Sequence, residues 1–103
     1  MNIQIHAVHF DASKELIDFI NKKLSRLEDF SDTSIEAEIF LKLETKQNIK
    51  DKIVEIRVHT FGKTLFVTKT SKTFEESIDM ALHTVLGQIK KKKEKIQNHH
   101  TSK

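Results

Sequence analysis

Residues 54–70, VEIRVHTFGKTLFVTKT, decide the fold. Apolar side chains alternate with polar ones in both arms of this stretch. The apolar members are Val54, Ile56, Val58, Leu65 and Val67. Alternation with a period of two is typical of strands that are buried on one face. The intervening residues 60–63, TFGK, predict a tight turn in which Gly62 supplies a positive φ. The stretch therefore predicts an antiparallel hairpin.

Two earlier segments alternate in the same way. Residues 35–44, IEAEIFLKLE, form the clearest strand of the chain, and residues 2–7 form a shorter one. A polar connection, residues 45–51, is expected between 35–44 and the hairpin. Because each predicted strand has only one convincing apolar face, the sheet needs a covering layer on one side only.

Two segments repeat apolar residues at helical spacing. The first follows Ser13, a suitable N-cap, and the second follows Thr73 and Glu76, which form a capping-box pattern. The second helix is expected to run from about residue 74 to 97. The apolar stripe of the first helix contains Leu16, Ile20, Leu24 and Leu27, and that of the second contains Phe74, Ile78, Ala81 or Leu82, Val85, Ile89 and Ile96.

The element order is β-α-β-β-β-α, which predicts an α+β two-layer sandwich. In this fold a four-stranded mixed sheet carries both helices on one face. The first two strands would be parallel through a right-handed crossover if they pair, and the later strands would be antiparallel. The length of 103 residues suits one domain. We expect this domain at residues 1–97 and a polar, disordered tail at residues 98–103.

The composition argues against several classes of function. The chain has no cysteine, so it has no disulfide and no thiolate site, which fits a reducing compartment. The first residues do not resemble a signal peptide, and no apolar run reaches the ~20 residues of a membrane helix. We find no phosphate-binding loop, GxGxxG or HExxH motif, and the histidines are dispersed. We therefore expect a cytoplasmic protein that is not an enzyme and that needs no metal or cofactor.

Cationic side chains cluster in two places. Residues 87–103 hold six lysines against a single acid, Glu94, although the whole chain has a net charge of only +3. Such an end either binds a polyanion or is a solvated helix end that the dipole favours, and the residues alone leave both possibilities open. If the helices pack side by side, the clusters could form one positive surface suited to phosphates. The candidate RNA-binding residues are Lys22, Lys23, Arg26, Lys90, Lys91, Lys93 and Lys95.

Phe40 and Phe66 are expected to project from the open face of the sheet. Exposed aromatic side chains on a sheet can stack on bases. Four acids share this face, however, and would repel phosphate. These acids are Glu36, Glu38, Glu44 and Glu55. We therefore favour cross-strand packing as the role of the two rings.

Taken together, the chain resembles the short form of the ribosome hibernation-promoting factor family, also called the ribosome-associated inhibitor, S30AE or sigma-54 modulation protein family. The resemblance covers about residues 1–97. It rests on MNIQIHAVHF, on SKELIDFINKKLSRLEDF, on the order and length of the strands, and on FEESIDMALHTVLGQIKKKKEK. The chain departs from the family pattern at residues 73–75, where an acid-Met/Leu-Tyr sequence is common, and at Thr84 and Gly87, where cations are common.

The resemblance implies a fold similar to that of double-stranded-RNA-binding domains. It also implies a protein that binds the 30S subunit, within the 70S ribosome as well, in the mRNA and tRNA channel at the decoding region. Members of the family inhibit translation and preserve idle ribosomes in stationary or stressed cells. The matching residues, Lys22, Lys23, Arg26, Lys90, Lys91 and Lys93, would contact 16S rRNA phosphates, without catalysis, cofactor or small-molecule substrate.

Two alternatives remain open from the residues. The chain could be a generic double-stranded-RNA-binding domain, or a protein-interaction module that uses the exposed sheet face. Longer relatives carry a second domain that dimerises, whereas this chain ends in a polar tail after the second helix. We therefore expect a monomer in solution that does not pair ribosomes unaided.

Overall fold

The computed structural model describes the backbone of residues 1–30, 35–46, 49–60 and 62–101, and the side chains of these residues except 30, 46, 49, 50 and 92–101. In chain order the elements are β1 (Asn2–Ala7), α1 (Lys14–Leu24), a 3₁₀ helix (Ser25–Phe30), β2 (Glu36–Lys46), β3 (Ile49–Thr60), β4 (Lys63–Ser71) and α2 (Phe74–Thr101). The predicted order β-α-β-β-β-α is confirmed.

The four strands lie side by side in the order β1-β2-β3-β4. β1 pairs with β2 in parallel, with Ile5 opposite Ile39, whereas the other two pairs are antiparallel. A parallel pair requires a crossover, and α1 provides it. The predicted mixed sheet is therefore confirmed.

The hydrophobic core lies between one face of the sheet and both helices. Alternate residues of the central strands and one stripe of each helix contribute to it, as their period-two and helical spacings predicted. Fully buried members include Ile20, Leu24, Leu27, Ile39, Leu41, Ile56, Ile78, Val85 and Ile89. The opposite face of the sheet carries the polar residues and remains open, which confirms the two-layer α+β architecture.

The predicted polar connection at residues 45–51 is wrong. β2 continues to Lys46 and β3 begins at Ile49, so only residues 47 and 48, which lie outside the described part of the chain, separate the two strands. Leu43 occupies an inward position of β2 and is nevertheless 47% exposed. The helices therefore do not cover this end of the hairpin. Because both faces of this end of the hairpin contact solvent, its sequence lacks the apolar alternation that is typical of a half-buried strand.

The predicted turn between β3 and β4 is confirmed. Thr60 pairs with Lys63, so a two-residue loop joins the strands. Gly62 has a φ of 70°, a conformation that glycine adopts without the strain a Cβ would bring. The other loop residue, Phe61, lies outside the described residues.

Both helices begin at the predicted caps. Leu16 N donates to Ser13 Oγ at 3.1 Å, and Glu76 N donates to Thr73 Oγ1 at 3.1 Å. The capping box at the start of α2 is modified. In place of the Glu76 carboxylate, Ser71 Oγ accepts a hydrogen bond from Thr73 N at 3.3 Å. The last residue of β4 therefore helps to start the helix.

Both helices end differently from the sequence prediction. α1 is α-helical only to Leu24 and continues as the 3₁₀ helix, at whose start Ser25 Oγ donates to Lys22 O at 2.7 Å. Ser31, Asp32 and Ser34 predict a turn at the end of the first helix, and these residues lie outside the described part of the chain. α2 continues to Thr101, beyond the predicted end at 97, so residues 98–101 of the expected disordered tail are helical. Residues 102 and 103 are not described.

Candidate nucleic-acid interface

Burial of one face of α1 orients its cationic residues. Leu16, Ile20 and Leu24 are buried against the sheet and α2. Lys22 lies off this stripe and is exposed, and Arg26 is exposed in the 3₁₀ helix that follows. The long side chains of both residues extend into solvent, where a phosphate group can approach them.

Lys23 differs from its two cationic neighbours because it is only half exposed. Its Nζ lies 3.5 Å from Asp79 Oδ1 on α2 and 5.4 Å from the centroid of the Phe19 ring. Lys23 therefore links the two helices in the free protein. An approaching phosphate would compete with Asp79 for this ammonium group.

The second cluster follows the last buried residue of α2. Ile89 is fully buried, whereas Lys90 and Lys91 are exposed. Lys93 and Lys95 lie on the helical backbone, and their side chains are outside the described part. α2 continues for about three turns beyond Lys90, so these lysines gain little from the helix dipole, whose effect is confined to the last turn.

The two helices carry their C-terminal halves toward the same end of the sheet. At the end where β1 starts, the Met1 ammonium group lies 2.9 Å from Glu28, just after α1. At the other end Ser77, in the first turn of α2, donates from Oγ to Lys52 O at 2.8 Å. α1 therefore ends where β1 begins, and α2 runs from the far end of the sheet toward that same end.

Cations and acids are unevenly distributed over the helix layer. The candidate cations lie toward the C-terminal half of each helix, beside the exposed Glu28 and Asp29 of the 3₁₀ helix, and five exposed acids lie in the first two turns of the helices, beside Lys14. The acids are Glu15, Asp18, Glu75, Glu76 and Asp79. From Asp79 to Lys90 the helix rises roughly 17 Å at ~1.5 Å per residue. Because Lys23 contacts Asp79, the cationic patch of α1 lies level with the second turn of α2, and the two patches are separated along the helix layer.

The open sheet face carries a network of rings that the sequence only partly indicated. The His6 and Phe40 rings stack with centroids 4.9 Å apart, and Arg57 Cζ lies 5.9 Å from the centroids of both Phe40 and Phe66. The packing role favoured for Phe40 agrees with this stack. Phe66, in contrast, is 53% exposed. His6 and Arg57 were missed because their contacts depend on strand register, which the sequence did not specify.

Other kinds of site find little support in the described residues. No group of three or more His, Asp or Glu side chains lies close enough together there to hold a metal ion. Within the same residues, no helix has the length and apolar character that crossing a membrane requires.

Comparison with known proteins identifies the family. The model of the sigma 54 modulation protein / S30EA ribosomal protein family matches residues 3–97. The chain belongs to this family. The resemblance inferred from the sequence is therefore confirmed. No curated protein sequence matches the chain.

Two solved structures show that the S30EA fold is shared. The N-terminal domain of Protein Y from Thermus thermophilus has a TM-score of 0.78 and 25% identity, covering 88% of this chain and 98% of that one. A ribosomal subunit interface protein from Coxiella burnetii has a TM-score of 0.70 and 26% identity, covering 90% and 98%. Both agree with the architecture described above.

Thr84 and Gly87, where the resemblance leads us to expect cations, lie close together on α2. Thr84 is half-buried and donates from Oγ1 to Met80 O at 3.2 Å. Gly87 is exposed, and nothing lies within 4 Å of the place where a Cβ would stand. A longer side chain at residue 87 would therefore extend into solvent without displacing a neighbour.

Proposed function

We propose that this protein is a ribosome hibernation factor that binds the small ribosomal subunit through its helix layer. Membership of the S30EA family and the likeness to a ribosomal subunit interface protein support ribosome association. The observation that carries the proposal is the placement of exposed cations toward the same end of both helices, one patch on each. Lysine, a flexible point charge, suits backbone phosphates more than base edges.

The resemblance to the hibernation-promoting factors suggests the site on the ribosome, and the chemistry of the surface is compatible with it. A rigid layer with two cationic patches fits structured RNA that is recognised by shape and charge. We place the protein at the decoding region of the 30S subunit, against 16S rRNA, where it occupies the path of mRNA and tRNA. Occupancy of this channel inhibits translation and preserves idle 70S ribosomes in the cytoplasm of stressed or stationary cells. No catalytic step and no cofactor is required.

We further expect the protein to be a monomer when it is free. Among the described side chains the exposed large apolar ones are dispersed over the surface, as Met1, Leu43, Phe66 and Met80. A stable homodimer normally buries on the order of 1,000 Å² or more of complementary surface. Sedimentation equilibrium across a range of protein concentrations tests this expectation, and a dimer would contradict it.

Co-sedimentation with purified 30S subunits tests the proposed function. The protein is mixed with subunits, with or without an excess of a perfect RNA duplex, and pelleted. We expect it to pellet with the subunits and to remain there in the presence of the duplex. Displacement by the excess duplex would indicate a generic double-stranded-RNA-binding domain. A parallel cell-free translation reaction should lose activity as the protein is added.

A further inference from the structure

The open face of the sheet has the opposite charge to the cationic patches. Apart from its histidines, five acids and two cations point outward from it among the described side chains. The acids are Glu36, Glu38, Glu44, Asp51 and Glu55, and the cations are Lys42 and Arg57. Each cation is already matched within the face: Lys42 Nζ lies 3.0 Å from Glu55 and Arg57 Nη1 lies 3.9 Å from Glu38. The face is therefore net negative.

The rings of His6, Phe40 and Phe66 form a row across the same face, and Phe66 is accessible to solvent. His6 stacks on Phe40, and the Arg57 guanidinium lies 5.9 Å from the rings of both Phe40 and Phe66. Phe66 stands on the edge strand β4 and keeps 53% of its surface exposed. An aromatic side chain that is already held by its neighbours offers apolar contact area at low cost in conformational entropy.

Beside this row, residues of all four strands line an open concavity of about 220 Å³. Glu36 and Glu38 line it, together with the side-chain amides of Asn2 and Gln4. Arg57 also borders the concavity, but its guanidinium is held by Glu38 and the two phenylalanine rings. The carboxylates that face this space suit a cationic donor such as a guanidinium or ammonium group.

We propose that the open sheet face binds a lysine- and arginine-rich, extended segment of a partner protein. One cationic side chain of the segment enters the concavity and binds Glu36, next to Glu38, which lies 3.9 Å from Arg57 and 3.7 Å from His6. The aliphatic stem of a neighbouring cation packs on Phe66, with its charged head over the ring or in solvent. Segments of this composition are typical of proteins that bind nucleic acid. The proposal does not depend on what the helix layer binds.

Single-stranded RNA is the competing occupant. Its bases could stack on Phe66, as they do on exposed aromatic rings of other sheets. Its phosphates, however, would meet a face on which acids outnumber cations, and both cations are already engaged by carboxylates. Charge complementarity therefore favours the basic protein segment.

Fluorescence anisotropy with a short labelled peptide of alternating arginine and glycine tests the proposal. The full chain is titrated into the peptide at about 0.1 M salt, where exposed charges are partly screened. Glu36→Gln combined with Phe66→Ala should weaken binding by at least about fivefold, because one ion pair and one ring contact are lost. The matched control, Glu15→Gln with Glu75→Gln, removes two exposed carboxylates from the helix layer and should leave the affinity unchanged.

Amide NMR spectra locate the peptide independently of any variant. We expect the peptide to shift the resonances of Gln4, Arg57 and Phe66 and to leave those of α2 in place. Equal weakening by the control pair, or peptide shifts confined to the helices, would overturn the proposal. So would tighter binding of oligouridylate than of the peptide at the sheet-face resonances. The sheet-face variant should still pellet with 30S subunits, so the two proposals fail separately.

Discussion

Gly87 shows at the residue scale how one position affects both stability and binding. It lies within α2, it is exposed, and no atom lies within 4 Å of the Cβ that it lacks. Glycine inside a helix costs about 1 kcal/mol relative to alanine, because the unfolded chain gains backbone freedom. The position therefore tolerates larger residues, and replacing the glycine should raise the free energy of unfolding.

Gly87→Ala should raise the free energy of unfolding by about 0.5–1 kcal/mol, measured by urea denaturation. Gly62→Ala is the matched control because Gly62 is also free of neighbours within 4 Å but has a φ of 70°. That change should lower the free energy of unfolding by a similar amount. If both substitutions changed the free energy of unfolding in the same direction, the backbone conformation of the two glycines would not determine the effect of the added Cβ. Gly87→Arg should also bind 30S subunits more tightly than the parent protein does, because it adds an exposed cation.

The pair between Lys23 and Asp79 gives a second prediction at this scale. Asp79 is 54% exposed, so the pair contributes less than ~1 kcal/mol to stability. Asp79→Asn should leave the thermal melt nearly unchanged and should tighten 30S binding roughly two- to fivefold, since it releases Lys23 and removes a charge that repels phosphate. Weaker binding of Asp79→Asn, measured by filter binding, would mean that Asp79 positions Lys23 for its contact.

At the scale of elements, the two helices should contribute jointly to the interface. One double variant, Lys22→Glu with Arg26→Glu, reverses the exposed cations of α1 and the 3₁₀ helix. A second, Lys90→Glu with Lys91→Glu, reverses the exposed cations of α2. Each double variant should weaken 30S binding by about tenfold or more, with little change in the melting temperature.

Lys14→Glu with Lys72→Glu is the control for these variants. Lys14 begins α1 and Lys72 precedes α2, so both exposed lysines lie near the N-terminal ends of the helices. Because the same number of charges is reversed, a general charge effect would weaken all three variants equally. Co-sedimentation compares them directly, and an unaffected cluster would be a solvated helix face without a role in binding.

Strands and helices were predictable from the sequence where burial in the core gives their apolar residues a regular spacing. They were not predictable where the chain leaves the core. Ile39 and Ile56 alternate into the core, and their strands were found. The same two strands extend past Leu43, which is 47% exposed, and the polar residues of this extension lack the apolar alternation that predicts a strand. The cations of the candidate site were predictable because they lie off an apolar stripe. The contact between Lys23 and Asp79 depends on helix packing, which spacing does not specify.

At the scale of the whole molecule, the two faces differ in charge pattern: among the described side chains the helix layer carries cations and acids in similar numbers, whereas acids outnumber cations on the open sheet face. The helix layer presents the lysine clusters, and the open sheet face presents an excess of carboxylates. Binding to an RNA surface through several phosphates releases the same number of counterions, so affinity depends steeply on salt.

We expect log K for 30S binding to fall with log salt with a slope of about −3 to −6, as about four to seven phosphate contacts predict. The Lys90→Glu, Lys91→Glu variant should show a slope that is shallower by about 1.5. The measurement is filter binding over a salt series from low to physiological concentration. A slope near zero would mean that phosphate contacts do not dominate.

The central claim is that the helix layer faces ribosomal RNA while the acidic sheet face points away from it. Cryo-electron microscopy of the protein bound to 30S subunits tests it most directly. We expect density for the protein in the mRNA channel at the decoding region, with Lys22, Arg26, Lys90 and Lys91 directed at rRNA phosphates and Phe66 turned away from RNA. Density outside this channel, or the ring of Phe66 stacked on an rRNA base, would contradict the account.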